Sequence, residues 1–186
     1  MTDQSTSAIR PEAAVKDTIL GAAIEVLAVH GLNNWTVEEV ANRSRCAKGL
    51  INYHYRTKRE LLGLAAETLR DDRAAHRLAA VQTEGTPALD RLWAVLVEEV
   101  DSGWFAAWLS LLSADDPLRK AAATRSADSA ALVLAISRSL GVEDQLAPWV
   151  PLVEGALNGL QLRLLQGAAP AETEEAYHRF WVTALT

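Results

Sequence analysis

Two closely spaced helix-start signals constrain this chain more than any other feature. Thr36-Val-Glu-Glu39 and Thr57-Lys-Arg-Glu60 both match the capping box. In that motif the threonine hydroxyl accepts a hydrogen bond from the glutamate N–H, and the glutamate carboxylate reaches back to the helix start. The interval between the two boxes leaves room for only a tight turn and one short helix. Two capped helices around a short third one have the spacing of a helix-turn-helix.

The rest of the pattern predicts helices throughout. Apolar residues make up 49% of the 186 residues, with alanine and leucine prominent, while strand-like alternation is rare. We therefore expect an all-α protein of about nine helices, with an N-terminal three-helix helix-turn-helix domain and a larger C-terminal helical bundle. The expected divisions are a flexible arm (1–10), the helix-turn-helix domain (11–73) and the C-terminal domain (74–186). Apolar spacing and prolines predict C-terminal helices over 87–101, 103–113, 117–140, 148–167 and 172–185.

What the sequence lacks disfavours several classes of protein. No apolar run approaches the ~18 residues of a membrane span, and the polar N-terminus has no apolar signal segment. The single Cys46 cannot form an internal disulfide, which fits a reducing compartment. Together these features lead us to expect a cytoplasmic protein with no membrane partner. Glu175 and His178 have the spacing of a di-iron ligand pair, but no second Glu-x-x-His accompanies them. We expect no metal site, no cofactor and no catalytic residue.

The charge of the chain is unevenly distributed. The net charge is −6, which argues against a protein that coats nucleic acid through bulk charge. Between Glu39 and Glu60, however, six basic and two acidic residues give a local charge of +4, so the remainder carries −10. A basic patch on an acidic body is the pattern of a local nucleic-acid contact.

The short segment between the capped helices separates into two faces when it is placed on a helix. Leu50 and Ile51 share one side, and four other residues share the opposite side. These four offer an ammonium, a close approach to the backbone, an amide and a phenol, which are groups that contact phosphates and base edges. An ordinary solvated polar face is the alternative. The four residues are Lys48, Gly49, Asn52 and Tyr53.

Residues 36–62, TVEEVANRSRCAKGLINYHYRTKRELL, resemble the N-terminal DNA-binding domain of TetR-family transcriptional regulators. The shared pattern comprises Thr36, Val40, Ala41, Gly49, Ile51, His54, Tyr55, Lys58, Leu61 and Leu62. The resemblance implies an all-α homodimer in which one domain binds double-stranded DNA and the larger domain binds a small molecule and dimerises. The residues expected to contact DNA are Thr36, Arg45, Lys48, Gly49, Asn52, Tyr53, His54 and Lys58.

Three residues depart from the family pattern. Arg45 stands where the family usually turns with glycine, and Ala47 stands where a serine or threonine commonly caps the recognition helix. Ser44 could supply that cap instead. Asn52 replaces a frequent tyrosine, so we expect an operator sequence different from those of tyrosine-bearing relatives.

The effector site is expected among aromatic residues of the C-terminal domain. Five of the six tryptophans lie there, and ordinary core packing is the alternative for each of them. The segments 49–58 and 152–167 weakly resemble the BetI-type branch of the family, whose members include choline-responsive repressors. That resemblance implies a quaternary amine held by cation–π contacts. The residues expected to line the pocket are Trp93, Trp104, Phe105, Trp108 and Trp149.

A dimer interface is expected on the last two helices. Glycines with a spacing of four residues lie beside a long apolar stripe, although close packing inside one subunit would give the same pattern. The family's two-helix interface favours a contact with a second copy of the chain. The residues expected at the interface are Leu152, Gly155, Gly159, Leu162, Phe180 and Trp181.

These expectations combine into one functional hypothesis. The chain is expected to be a ligand-responsive repressor that binds a pseudo-palindromic operator as a homodimer and is released by a small-molecule inducer. One alternative is a DNA-binding activator or architectural protein without a ligand. A more remote alternative is a helical enzyme.

Overall fold

The computed structural model describes residues 11–142 and 146–186. These residues form ten α-helices, one short 3-10 helix (Ala147–Trp149) and no strand. The predicted N-terminal arm, residues 1–10, lies outside the described residues. The helices are α1 (Pro11–His30), α2 (Val37–Ser44), α3 (Lys48–His54), α4 (Lys58–Ala80), α5 (Pro87–Asp101), α6 (Trp104–Leu112), α7 (Asp116–Ala122), α8 (Ser126–Leu140), α9 (Val150–Leu165) and α10 (Pro170–Leu185).

The two predicted helix starts form as the capping motif requires. Thr36 and Thr57 are the N-caps of α2 and α4, and each hydroxyl accepts from the N–H three residues later, at 3.1 and 3.0 Å. The reciprocal bond at α4 is shifted by one residue, because the Glu60 carboxylate accepts from the N–H of Arg56 at 2.9 Å. Both caps satisfy N–H groups that have no partner inside the helix.

The first hydrophobic core joins the helix-turn-helix to two later helices. Trp35 is fully buried, and its indole N–H donates to the carbonyl of Ala23 at 2.9 Å. Tyr55, just after α3, donates to the carbonyl of Lys16 at 3.2 Å and so ties the recognition helix to α1. The same cluster contains residues far away in sequence: Phe105, Trp108, Leu111, Leu118 and Ala122.

Helix α6 approaches α1 at a glycine. Gly103 has a φ of +81°, and a Cβ at this position would lie 2.6 Å from the carbonyl oxygen of Ala28. Both the left-handed backbone and the close approach require a residue without a side chain. The start of α6 is therefore packed directly against the end of α1.

The second hydrophobic core is built by α5, α8, α9 and α10, with Val81 and Leu146 beside them. The helix α4 contacts α5 and α8 as well as α1, so it runs from the first core to the second. The expected boundary at residue 73 falls inside this helix. The division of the chain into two domains at that point stays a prediction.

The predicted helix over 117–140 is wrong in one respect, because it is two helices. The backbone is extended at Ala123 and Arg125, between α7 and α8. The indole N–H of Trp108 donates to the carbonyl of Ala122 at 3.0 Å, and Arg70 donates to that of Ala121 at 2.6 Å. These bonds satisfy terminal carbonyls of α7 that have no partner inside the helix. Because of the break, α7 packs into the first core and α8 into the second.

None of the helices in the two described ranges combines the length and the apolar character that a membrane span requires.

Candidate nucleic-acid interface and effector pocket

The recognition helix α3 presents one face to the interior and another to solvent. Ile51 is buried against the first core, while Lys48, Gly49, Asn52 and Tyr53 are exposed. Tyr53 has 76% of its surface accessible. A Cβ placed on Gly49 would contact nothing within 4 Å, so a backbone or a phosphate can approach closely there. The face carries charge, amide and phenol groups on a helix that the core holds in place.

The turn before α3 contains the strained residue. Arg45 takes a left-handed conformation, with φ 55° and ψ 29°, and is the only described residue other than glycine with a positive φ. Ala47 is the N-cap of α3 and makes no side-chain bond. The expectation that Ser44 could cap α3 is wrong, because its buried hydroxyl donates to the carbonyl of Ala41. The turn is therefore less relaxed than one with glycine and serine at these positions.

Two predicted DNA contacts have other partners. The His54 side chain is only 4% exposed and lies 4.0 Å from the Glu12 carboxylate, so it faces α1 and not the solvent. Its assignment to the DNA surface is corrected here, since a buried imidazole cannot reach a groove. Lys58 is exposed, but its ammonium donates to the carbonyl of Trp35 at 2.7 Å. Lys58 therefore supports the loop before α2 and has donors left for a phosphate.

Ion pairs weaken the basic patch that the sequence window predicted. Lys48 pairs with Glu38 at 3.3 Å, Arg43 pairs with Glu25, and Arg59 pairs with Asp115. All three acids lie outside the window from Glu39 to Glu60, so a count along the sequence misses them. Exposed pairs of this kind contribute little stability and open readily when a phosphate competes.

A pocket lies between α4, α8 and α9, beside the second core. It encloses about 530 Å³ of non-atom space, part of which is open to solvent. Its apolar wall consists of Leu132, Val133, Val150, Val153 and Leu157, and its polar wall includes Arg70, Arg73 and Arg77 of α4. A pocket with an apolar wall and a few convergent polar groups is the usual form of a small-molecule site.

Behind the polar wall lies a buried network of charged side chains. The Glu99 carboxylate, on α5, accepts from Arg73 at 3.0 Å and from Arg77 at 2.9 and 2.7 Å. The amide of Gln161 donates to the same carboxylate at 2.9 Å and accepts from Arg77 at 2.7 Å. All four side chains are buried. The network thus links α4 to α5 and α9 through bonds that water does not screen.

Burial and neighbouring charges shift the pKa values in this network. Burial, reinforced by the positive charge of Arg77, lowers the pKa of Arg73 to about 10. Burial alone would raise the pKa of Glu99, but the two guanidinium groups and their hydrogen bonds outweigh it, and that pKa lies below its ordinary value. The carboxylate is therefore ionised between two cations.

The comparisons with known proteins agree with this geometry. Residues 19–65 match the family model described as bacterial regulatory proteins, tetR family. Residues 19–65 belong to the TetR family of bacterial regulatory proteins. This domain identifies a DNA-binding transcriptional regulator, which replaces the helical-enzyme alternative. No curated protein matches the chain significantly.

Solved structures of similar fold cover most of the chain. A protein from Rhodococcus sp., described as a TetR-family transcriptional regulator, is 19% identical, with a TM-score of 0.74 and coverage of 92% of this chain and 98% of that one. A protein from Saccharomonospora viridis described as a transcriptional regulator, in complex with choline, is 16% identical, with a TM-score of 0.66 and coverage of 90% and 95%. The multidrug binding protein EbrR, complexed with malachite green, is 22% identical, with a TM-score of 0.64 and coverage of 91% and 96%.

The five aromatic residues expected to hold the effector of this TetR-family protein are not gathered around the pocket. Phe105 and Trp108 stack on each other in the first core, whereas Trp93 packs against Tyr177 in the second, with the two rings tilted by 36°. Trp104 stacks on His76, and Trp149 lies partly buried beside the second core. None of the five lines the pocket between α4, α8 and α9. The BetI-type assignment stays a prediction.

The residues that do line the pocket's polar wall were missed by sequence reasoning. Arg70, Arg73 and Arg77 follow one another at intervals of three and four on α4, which places them on one face of a helix. That spacing was a usable signal. Their partners Glu99 and Gln161 carry no such signal, because only the packing of α5 and α9 against α4 brings them close.

The expected dimer residues fall into two groups. Leu152, Gly155, Gly159 and Leu162 are exposed along one face of α9. Phe180 is partly buried. Trp181 is only 2% exposed and packs inside one subunit, so its assignment to the interface is corrected. Val182 of α10, which sequence reasoning did not include, is 64% exposed.

Within the described ranges, no group of three or more histidine, cysteine, aspartate or glutamate residues is arranged to hold a metal ion. The two residues of the Glu-x-x-His pattern form ion-pair contacts with other residues. His178 lies 3.8 Å from Glu174, and Glu175 lies 3.6 Å from Arg179.

Proposed function

We propose that this TetR-family regulator is a ligand-responsive repressor that binds a pseudo-palindromic operator as a homodimer. The observation that carries the proposal is the solvent-facing side of α3, where Lys48, Asn52 and Tyr53 are exposed on a helix anchored by Ile51. Two such helices, related by a two-fold axis, would enter successive major grooves about 34–36 Å apart. Asn52 is suited to pair bidentately with adenine, and Lys48 with guanine or a phosphate.

An unpartnered apolar face on the last two helices supports the dimer. Leu152 and Leu162 are exposed on α9, and the two exposed glycines between them allow helices to approach closely. Val182 adds a further exposed apolar side chain on α10. A symmetric interface uses the same patch of both subunits, and a flat stripe with small residues at its centre fits that requirement.

The position of the pocket supports control by a small molecule. It is lined by α4, whose N-terminal end follows α3 directly and whose C-terminal third carries the buried Arg73 and Arg77. A ligand that favours one position of α4 over another would change the separation of the two recognition helices. A coupling of about 1–3 kcal/mol between the two sites is typical of such effects. Two proteins of similar fold were solved with choline and with malachite green, which fits ligand-responsive regulation.

The test begins with selection of the preferred operator from random DNA, followed by affinity measurements at several salt concentrations. We expect Asn52→Ala to lose about 1–3 kcal/mol on that operator and to relax specificity at one base position. Lys58→Ala should lower affinity for all sequences and flatten the salt dependence. Gln166→Ala, at the far end of α9, is the control and should bind like the parent. Parent-like binding by both α3 and α4 variants would reject the recognition surface.

The dimer is tested with a matched pair of leucines. Leu162 and Leu134 are 40% and 39% exposed, on α9 and α8 respectively. We expect sedimentation at micromolar concentration to show a dimer for the parent and for Leu134→Glu, but a monomer for Leu162→Glu. A monomeric parent, or equal behaviour of the two variants, contradicts the proposed interface. An operator complex that no ligand affects would instead favour the activator or architectural alternative.

A further inference from the structure

We propose that the pocket between α4, α8 and α9 takes an amphipathic ligand with a carboxylate group, and that this carboxylate pairs with Arg73. The inference rests on the proposed ligand-responsive function and names the chemical class of its effector. It differs from the quaternary amine that the sequence resemblance implies.

The first argument is the balance of buried charge. Arg73 and Arg77 are both buried, and the carboxylate that contacts them is that of Glu99. Glu99 accepts four hydrogen bonds, three from the arginines and one from Gln161, which uses the capacity of its two oxygens. Two cations are therefore hydrogen-bonded to one anion, while Glu154 acts on Arg73 from beyond ion-pair distance, and a further anion in contact with Arg73 would be stabilised.

The second argument is the capacity of Arg73 for further hydrogen bonds. Its Nε donates to Glu99 at 3.0 Å, and its Nη2 lies 3.0 Å from the same carboxylate and 3.5 Å from the Gln161 amide oxygen. Among the residues that the structure describes, no acceptor is bound to Nη1, and the side chain lines the pocket. A guanidinium with unused donors on a pocket wall matches the two oxygens of a carboxylate.

The acids of the pocket are less suited to hold a cation. Asp128 is held by Arg125 through two bonds of 2.8 and 3.2 Å. Glu154 accepts from the hydroxyl of Ser129 at 2.7 Å and is the acid that a ligand carboxylate would meet. None of the described residues that line this pocket is aromatic, so they offer no ring faces of the kind that bind quaternary amines.

The remaining wall sets the shape of the ligand. Leu132, Val133, Val153 and Leu157 offer aliphatic surface without hydrogen-bond partners, which suits an alkyl or aryl body. Within the enclosed space, only about 40 Å³ is open to the centres of water-sized molecules. That is room for roughly three waters, at ~10–15 Å³ each. A larger ligand that binds wholly inside the pocket must therefore move α8 or α9 away from α4, which would link binding to a change of conformation.

Arg73 also connects the pocket with the first core. Its guanidinium lies 4.3 Å from the ring centre of Trp108 and 5.6 Å from that of Phe105, while its hydrogen bonds run to α5 and α9. A carboxylate that draws Arg73 into the pocket would weaken its bonds to the second core. The fluorescence of Trp108 should therefore change when Arg73 moves towards the pocket.

The test compares three compounds with the same eight-carbon body: octanoate, octanamide and octyltrimethylammonium. Binding to the full-length protein is followed by calorimetry and by tryptophan fluorescence. We expect octanoate to bind about tenfold or more tightly than the other two, because only its head group forms charge-assisted bonds with Arg73. Octanoate should also lower the affinity for the selected operator.

A variant of Glu154 tests whether the ligand that the pocket prefers carries a negative charge. Glu154→Gln removes the opposing acid from the pocket, so it should tighten octanoate by severalfold. Glu98→Gln, on the exposed side of α5, is the matched control and should leave octanoate binding unchanged. Arg73→Lys keeps the charge but loses the fork, and should weaken octanoate if circular dichroism shows that the variant folds.

Three results would overturn the inference. These are tighter binding of octyltrimethylammonium than of octanoate, a loss of octanoate affinity in Glu154→Gln, and no binding of any of the three compounds at millimolar concentration. Operator affinity measured without ligand is independent of all three. A failed ligand series with intact operator binding thus rejects the carboxylate, while failed operator binding rejects the proposed function itself.

Discussion

The buried carboxylate of Glu99 holds together the charged network that joins α4, α5 and α9. It is 2% exposed and is shared by two buried guanidinium groups. Glu99→Gln keeps the size of the side chain and removes its charge. The variant leaves two buried cations without their anion, and it points an amide NH₂ at neighbours that are themselves donors.

The expected loss of stability is large for one substitution. Removing one partner of a buried ion pair typically costs about 3–5 kcal/mol. For a chain of this size each kcal/mol corresponds to ~2–4 °C in melting temperature. We therefore expect Glu99→Gln to lower the melting temperature by roughly 10 °C. The corresponding loss of free energy is a substantial part of the total stability of a typical protein.

Urea unfolding followed by tryptophan fluorescence measures this loss, with the m-value as a check that the unfolded state is unchanged. Glu98→Gln changes the neighbouring, exposed glutamate and should cost less than about 0.5 kcal/mol. A loss below 1 kcal/mol in Glu99→Gln would refute the reasoning, because it would mean that water or a rearrangement replaces the lost charge.

The same network gives a pH dependence with a definite sign. The pKa of Glu99 in the folded protein lies below its ordinary value of 4.5. Its stabilisation is therefore complete above pH 4.5 and is lost as the pH falls through the folded pKa. We expect acid unfolding of the parent to be steeper than that of Glu99→Gln, and equal slopes would contradict the assignment.

Three further predictions concern two backbone positions and one buried tyrosine. Arg45→Gly should raise the unfolding free energy by about 1 kcal/mol, since it removes a left-handed side chain, while operator affinity falls; unchanged stability in urea melts would show that the turn is relaxed. Gly103→Ala should cost at least about 2 kcal/mol because its Cβ meets Ala28, whereas Gly141→Ala, with a similar φ and open space, should cost about 1 kcal/mol in the same assay. Burial raises the pKa of Tyr177, so its stabilisation is lost as the pH rises above 10, and Tyr177→Phe should flatten the alkaline decline in melting temperature.

Local signals in the sequence determine much of this protein. The caps at Thr36 and Thr57, the apolar periodicity and the proline starts depend on residues only a few positions apart, so they predict the helix-turn-helix and most helix bounds. The outward face of α3 is set in the same way, because Ile51 must point into the core. The family resemblance of residues 36–62 depends on these same local features.

Tertiary structure decides what depends on partners distant along the chain. The break between α7 and α8 is held by Trp108 and Arg70, and the sequence around it contains no helix breaker. His54 looks like a polar surface residue in the sequence, yet packing against α1 buries it. The charge of the basic patch likewise changes once distant acids pair with it. A buried network such as that of Glu99 forms only where three helices meet, because burial and charge balance belong to the assembled core and not to any one segment.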